Sequence, residues 1–204
     1  MVKHPAGILP ATPFSEVLTR SPVLQDHGFR EWVFYPGMLF GSRDRWWGRG
    51  GRRDRPHEGV DLCLYRDSRG TIHHLPPAAL AIPVLYDGTV VNVVEDYIGT
   101  SIFVLHDTHD TEGNQLCTIY GHTDPVADMK NGLLVEEGRI IATIADAGKK
   151  KVKISSHLHL SIAWIAPAYP HERLDWKHLA KDDGALLVNP LPVISCPYSV
   201  VSYP

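Results

Sequence analysis

Through the middle of this chain apolar and polar residues alternate with the two-residue period of β-strands. From Ala81, AIPVLYDGTVVNVVED holds two β-branched runs around Asp87-Gly88, a pair that predicts a hairpin turn. TSIFVLHD, QLCTIYGH, GRIIATIA and SHLHLSIAWI follow as further short runs, and Gly, Asp and Asn punctuate the breaks. No long helical period occurs before residue 170. Short strands with turn punctuation predict an all-β, mainly antiparallel domain. Residues 1–39, rich in Pro and aromatics, read as an irregular N-terminal arm packed on a domain spanning 40–204, with one short helix near Phe14–Thr19. HERLDWKHLAKDD predicts a short C-terminal helix before NPLPVI.

Composition narrows the function classes. The 204 residues are 44% hydrophobic and 21% charged, an ordinary soluble balance for one domain with an arm. The net charge of −3 argues against a dedicated nucleic-acid binder. Cys63, Cys117 and Cys196 form no CxxC pair, which disfavours a thiolate metal site, and their odd number predicts unpaired thiols. No stretch reaches the roughly 20 apolar residues of a membrane span. MVKHPAGILPATPFSEV lacks the apolar core of a secretory signal, so no export signal is expected in this chain. GSRDRWWGRGGRRDR carries Arg43, Arg45, Arg49, Arg52, Arg53 and Arg55 on a glycine-rich loop. Such a loop could hold an anion, but its composition alone reads as solvated surface.

Twelve histidines are a high count, and most need no function. His4, His27, His171 and His178 lie outside the β core, and His73 and His74 sit near Pro76-Pro77 in a predicted loop; all read as surface side chains. Three groups differ. In His57-Glu-Gly-Val-Asp61 the two polar ends would stand about 13 Å apart on a straight strand. Metal bonds of about 2 Å demand that the chain bend, which Gly59 permits. In His157-Leu-His159 the alternation sends Leu158, Leu160 and Ile162 to one face and His157, His159 and Ser161 to the other. That suits one metal ligand and one catalytic neighbour. In QLCTIYGH the same rule places Thr118, Tyr120 and His122 on one face, with Tyr120 either assisting or simply packed. Together the groups offer two histidines and an aspartate for a metal with an open position, plus two spare histidines.

At these residues the sequence resembles the lysostaphin-type, or LytM-like, zinc peptidases, from about Phe40 to Ile194. FGSR and HEGVD look like the family's FGxR and HxGxD. LCTIYGHTD resembles its strand ending in YxH, and LVEEGRIIATI its V-x-x-G-x-x-I-G strand. SSHLHLSI matches its HLHF-like signature, and VNPLPVI its closing NP-x-P segment. Two departures stand out: RDSRGTIHHLPP is inserted after the first motif, and DAGKKKVKISS replaces a glycine-rich run before HLH. The resemblance implies a lysostaphin-like, duplicated-hybrid-motif β-sheet domain with a groove. It implies one Zn²⁺ per chain on His57, Asp61 and His159, with His157 and His122 as the catalytic pair. The implied partners are peptidoglycan peptides, cut at crosslinks or bridges by a monomer in the cell envelope or outside the cell. One competing reading is a non-catalytic zinc-binding adaptor or activator of another wall hydrolase. Another, a cupin-like HxH site, is disfavoured because HEGVD lies upstream of HLH.

Overall fold

The computed structural model describes residues 3–4, 8–78, 80–150, 153–171, 174–179 and 184–203. Strand β1 (Lys3–His4) is followed by helices α1 (Phe14–Thr19) and α2 (Pro22–Asp26) and by β2 (Phe29–Phe34). Then come β3 (Val60–Leu62), β4 (Leu64–Asp67), β5 (Ile72–His74), β6 (Ala81–Pro83), β7 (Gly88–Glu95), β8 (Thr100–Asp110) and β9 (Gln115–Pro125). The last elements are β10 (Leu134–Val135), β11 (Ile140–Ile144), β12 (Leu158–Ile165), α3 (Trp176–Leu179), β13 (Ala185–Val188), α4 (Leu191–Ile194) and β14 (Tyr198–Val200). The all-β, mainly antiparallel class expected from the alternation is what forms; among the described residues only β1 on β8 and β14 on β2 pair in parallel. Among the described residues no helix is long and apolar enough to cross a membrane. Cys63, Cys117 and Cys196 are free.

Among the described residues ten strands make the main sheet and four, in the order β14-β2-β4-β5, make a second. Strand β12 lies at the centre of the main one. It pairs with β9 on one side and with β3, then β13, on the other. Its alternation is the reason it can serve as scaffold. Leu158, Leu160, Ile162 and Trp164 enter the principal core, while Ala163 and Ile165 join a second cluster with Phe103, Ile119 and Leu174. Each large apolar side chain buried this way contributes about 1.5–3 kcal/mol. The second face of β12 is therefore covered, not wet, over its C-terminal half.

Three local expectations change. Asp87-Gly88 is no hairpin: β6 pairs with β11, and β7 with β8 and β10. The turn signal reflects close approach instead, because a Cβ at Gly88 would stand 2.6 Å from the Leu105 carbonyl. Residues 29–34 of the N-terminal segment form a strand, and the inserted segment after Leu62 supplies β4 and β5 to the same sheet. His73 and His74 thus lie on a strand; His73 Nε2 meets Asp67 Oδ2 at 2.9 Å, and His27 Nδ1 contacts the Tyr65 hydroxyl. The helices at Phe14–Thr19 and near the C-terminus do form. The latter spans Trp176–Leu179, and the rest of HERLDWKHLAKDD lies partly outside the described residues.

Gly59 sets the distance between β3 and β12. A Cβ there would lie 2.2 Å from the Leu160 carbonyl oxygen and 2.5 Å from Ser161 Oγ. Gly59→Ala is therefore expected to destabilise the fold by about 1–3 kcal/mol through overpacking. Urea unfolding checks this; an unchanged midpoint would refute the tight contact.

Candidate metal centre and its groove

The register between β3 and β12 sets Asp61 directly opposite His159. Opposed residues on an antiparallel pair have Cβ atoms about 5 Å apart on one face, so both side chains reach one point. His57 arrives from the bend before β3. Its backbone is tied on both sides to the FGSR segment: His57 N–H donates to the Ser42 carbonyl at 2.9 Å, and Gly41 N–H to the His57 carbonyl at 2.9 Å. His57 Nε2 is 3.1 Å from Asp61 Oδ1 and 3.1 Å from His159 Nδ1, and His159 Nδ1 is 2.8 Å from Asp61 Oδ1. Tetrahedral ligands at about 2 Å from a metal stand roughly 3.3 Å from one another, so the spacing fits.

Hydrogen bonds on the far side of each ring decide what these atoms present. His57 Nδ1 faces the Leu39 carbonyl at 3.2 Å, an acceptor only, so the proton sits on Nδ1 and Nε2 carries a lone pair. His159 Nε2 lies 2.8 Å from Ser161 Oγ, a hydroxyl able to accept its N–H, and in that tautomer His159 Nδ1 carries a lone pair as well. Burial alone would raise the Asp61 carboxyl. The neighbouring imidazoles of His57, His157 and His159 outweigh it and hold the group well below the usual carboxylate range. Burial lowers His159, ahead of the opposing pull of Asp61. Three lone-pair atoms thus converge, almost fully buried, in an arrangement that could hold a cation.

The arginine-rich loop takes part, which its composition did not reveal. Trp46 Nε1–H donates to Asp61 Oδ2 at 2.6 Å. Arg53 Nη2 lies 3.6 Å from the same oxygen, donates to the Gly37 carbonyl at 2.8 Å, and its guanidinium stacks 4.7 Å over the Trp47 ring. Arg43, Arg45, Arg49, Arg52 and Arg55 remain exposed, as expected. The signal that was available was the pair Trp46-Trp47, apolar mass inside a charged run.

Two more histidines border the centre. His157 Nδ1–H donates to the Ser155 carbonyl at 2.8 Å, which leaves Nε2 as the lone-pair nitrogen, 3.6 Å from Asp61 Oδ1. Burial pushes His157 down to about 3. His122 reaches it by a route the alternation rule missed. Thr100 pairs with Thr123, but Ile102 pairs with Tyr120, so β9 carries one extra residue. His122 takes φ 63° in this bulge and turns out of the core. Its ring stands 4.7 Å from that of His157. Tyr120 stays in the core instead, where its hydroxyl accepts from Leu85 N–H at 2.7 Å, so it does not share the face of His122. Asp96, in the β7–β8 turn, accepts from His122 Nδ1–H at 3.0 Å; no sequence signal set it apart from an ordinary turn aspartate.

These side chains floor an open groove of ≈ 630 Å³, walled by Trp47, Glu58, Tyr97, Ile98, Ile154 and Trp176. Trp176 sets its ring edgewise 5.1 Å from that of His159 and donates Nε1–H to Ser101 Oγ at 2.8 Å. The groove can therefore seat an extended apolar or mixed segment directly over the metal-type cluster.

Among solved structures, the chain is similar to Ruminococcus gnavus LytM at 20% identity, over 72% of this chain and 51% of that one, with a TM-score of 0.43. It is similar to Helicobacter pylori Csd3 at 22% identity, over 83% and 34%, with a TM-score of 0.40. It is similar to lysostaphin at 16% identity, over 80% and 57%, with a TM-score of 0.44. The chain thus spans about half the length of the Ruminococcus chain and a third of the Helicobacter one. No curated protein matches the sequence. The profile of peptidase family M23 matches residues 55–170, more than half of the chain and a span that holds His57, Asp61, His122, His157 and His159, and the chain belongs to that family.

Proposed function

We propose that this protein is a zinc-dependent endopeptidase that hydrolyses peptide bonds in peptidoglycan crosslinks or bridges. The observation that carries the reading is the meeting of three lone-pair atoms, from His57, Asp61 and His159, beneath a groove flanked by two further histidines. Two imidazoles and one carboxylate with an open position are a donor set that suits zinc. Bound there, zinc would supply Lewis acidity and a water of lowered pKa.

The chain's own residues would do the rest. His157, with its lone pair on Nε2, is placed to take a proton from the attacking water. His122, whose ring is backed by a carboxylate, is placed to hold a proton toward the oxygen that gains charge. Trp46 and Arg53 hold the second oxygen of Asp61 and keep its first toward the two imidazoles. The substrate class rests on family membership, on the sequence resemblance to lysostaphin-type peptidases, and on an open groove lined with aromatic side chains that suits an extended peptide.

Elemental analysis of the purified protein should find about one zinc per chain, and most of it should be lost in His57→Ala, Asp61→Ala and His159→Ala. Full zinc in His159→Ala would refute the ligand assignment. His157→Ala and His122→Ala should keep near-stoichiometric zinc while hydrolysis of a peptidoglycan-derived peptide falls about 10²- to 10⁴-fold. Digests followed by mass spectrometry read this out. A zinc-loaded parent that cleaves no wall peptide of any crosslink type would favour the adaptor reading. Cleavage at the parental rate by both variants would displace the two histidines from the chemistry.

A further inference from the structure

We infer that Asp96 is a positioning residue that clamps His122, fixing its ring orientation and keeping the proton on Nδ1, so that only Nε2 is left to exchange protons over the groove. The inference rests on the reading of His122 as a catalytic group. Its warrant is the arrangement around one carboxylate.

The bulge in β9 takes the His122 N–H off the strand ladder, and a half-buried amide needs another acceptor. Asp96 Oδ2 provides it at 2.8 Å, while Asp96 Oδ1 faces the ring Nδ1 of the same residue at 3.0 Å. One carboxylate thus grips both the backbone and the side chain of His122. The His122 carbonyl is held separately, by Ala145 N–H at 3.0 Å. This combination holds a non-glycine residue in the left-handed region, where it would otherwise be strained.

Asp96 is itself immobilised. Oδ1 accepts from Ile98 N–H at 2.9 Å and from Gly99 N–H at 2.8 Å, and Oδ2 accepts from Ser101 Oγ–H at 2.6 Å. Five donors therefore meet two oxygens. A carboxylate in that setting acts only as acceptor, so His122 Nδ1 must bring the proton. Burial would raise the Asp96 carboxyl, but the hydrogen bond and charge of His122, with the bonds from Ser101 and Gly99, hold it below the usual range. His157 differs: its Nδ1–H rests on a neutral carbonyl. The network extends one step further, because Trp176 Nε1–H donates to the Ser101 hydroxyl that donates to Asp96, which ties one wall of the groove to the clamp.

Asp96→Asn keeps an acceptor for the turn amides but offers an amide group to His122. With zinc retained, kcat on a peptidoglycan-derived peptide should fall about 10²-fold or more, as when a histidine loses the carboxylate that sets its tautomer, and KM should stay within a few-fold. A purely structural role would lower thermal stability without acting through His122. Two readouts separate the cases. The double variant Asp96→Asn/His122→Ala should cleave at the rate of His122→Ala alone, because the effects of residues acting as one unit do not add. Ring ¹⁵N NMR of the zinc-free and zinc-loaded full chain should find His122 as the Nδ1–H form in the parent, and as the Nε2–H form or a mixture in Asp96→Asn. Should Asp96→Asn fail to fold, Ser101→Ala loosens Oδ2 while leaving the turn bonds, and the His122 Nδ1–H resonance should shift. An unchanged tautomer, an unmoved resonance in Ser101→Ala, or a further loss of rate when Asp96→Asn is added to His122→Ala would overturn the inference. If the parent cleaves no wall peptide, the peptidase reading falls, while the NMR result still decides the clamp.

Discussion

The site depends on the pairing of β3 with β12. A strand register has a period of two, so a slip of one residue would send Asp61 to the core and leave His159 facing nothing. The register is held from the core side, where Val60, Leu62, Leu158 and Leu160 are all fully buried. Expelling those side chains from water is what holds the two polar side chains in place on the opposite face. Gly59 lets the chain run against the Leu160 carbonyl just before the pair, and the bend there brings His57 back over it. Packing energy is thereby spent on bringing three lone pairs together, an arrangement unfavourable in itself.

The rest of the centre is organised by hydrogen bonds to the second atom of each group. The Leu39 carbonyl sets the tautomer of His57 and the Ser155 carbonyl that of His157, while the Ser161 hydroxyl accommodates the second nitrogen of His159. The acceptor behind His122 is the exception, a buried and fully satisfied carboxylate. Two histidines at 4.7 Å ring separation are thus chemically unlike, because one is backed by a neutral dipole and the other by a charge. Such inequality between neighbouring groups is what a division of proton-transfer roles requires.

The inserted segment and the arginine-rich loop do two different things. RDSRGTIHHLPP extends the chain after β3 into a hairpin that joins residues 29–34 and 198–200 in a second sheet. That sheet has no residue in the groove. The arginine-rich loop, in contrast, reaches the metal-type cluster itself through Trp46 and Arg53. Arg53 lies among Asp61, Glu58 and the Trp47 ring, and burial lowers its pKa against the pull of those two carboxylates.

By itself the sequence determined the β class, because a two-residue period over successive short runs has only one regular solution. It also determined the pair His157 and His159: alternation along one strand sends His159 to the face opposite Leu158 and Leu160, whatever lies across from it. HEGVD announced a metal-type motif because its ends could serve one ion only through a bend at a glycine. The tertiary structure decided the remainder. Alternation put His122 on the same face as Tyr120, and only the shift in register between β8 and β9 reveals the bulge that separates them. Asp96, Trp46 and Arg53 lie far along the chain from the groups they touch, and their types are ordinary for turns and charged loops. Their roles come from where distant strands end in space, which no local pattern encodes.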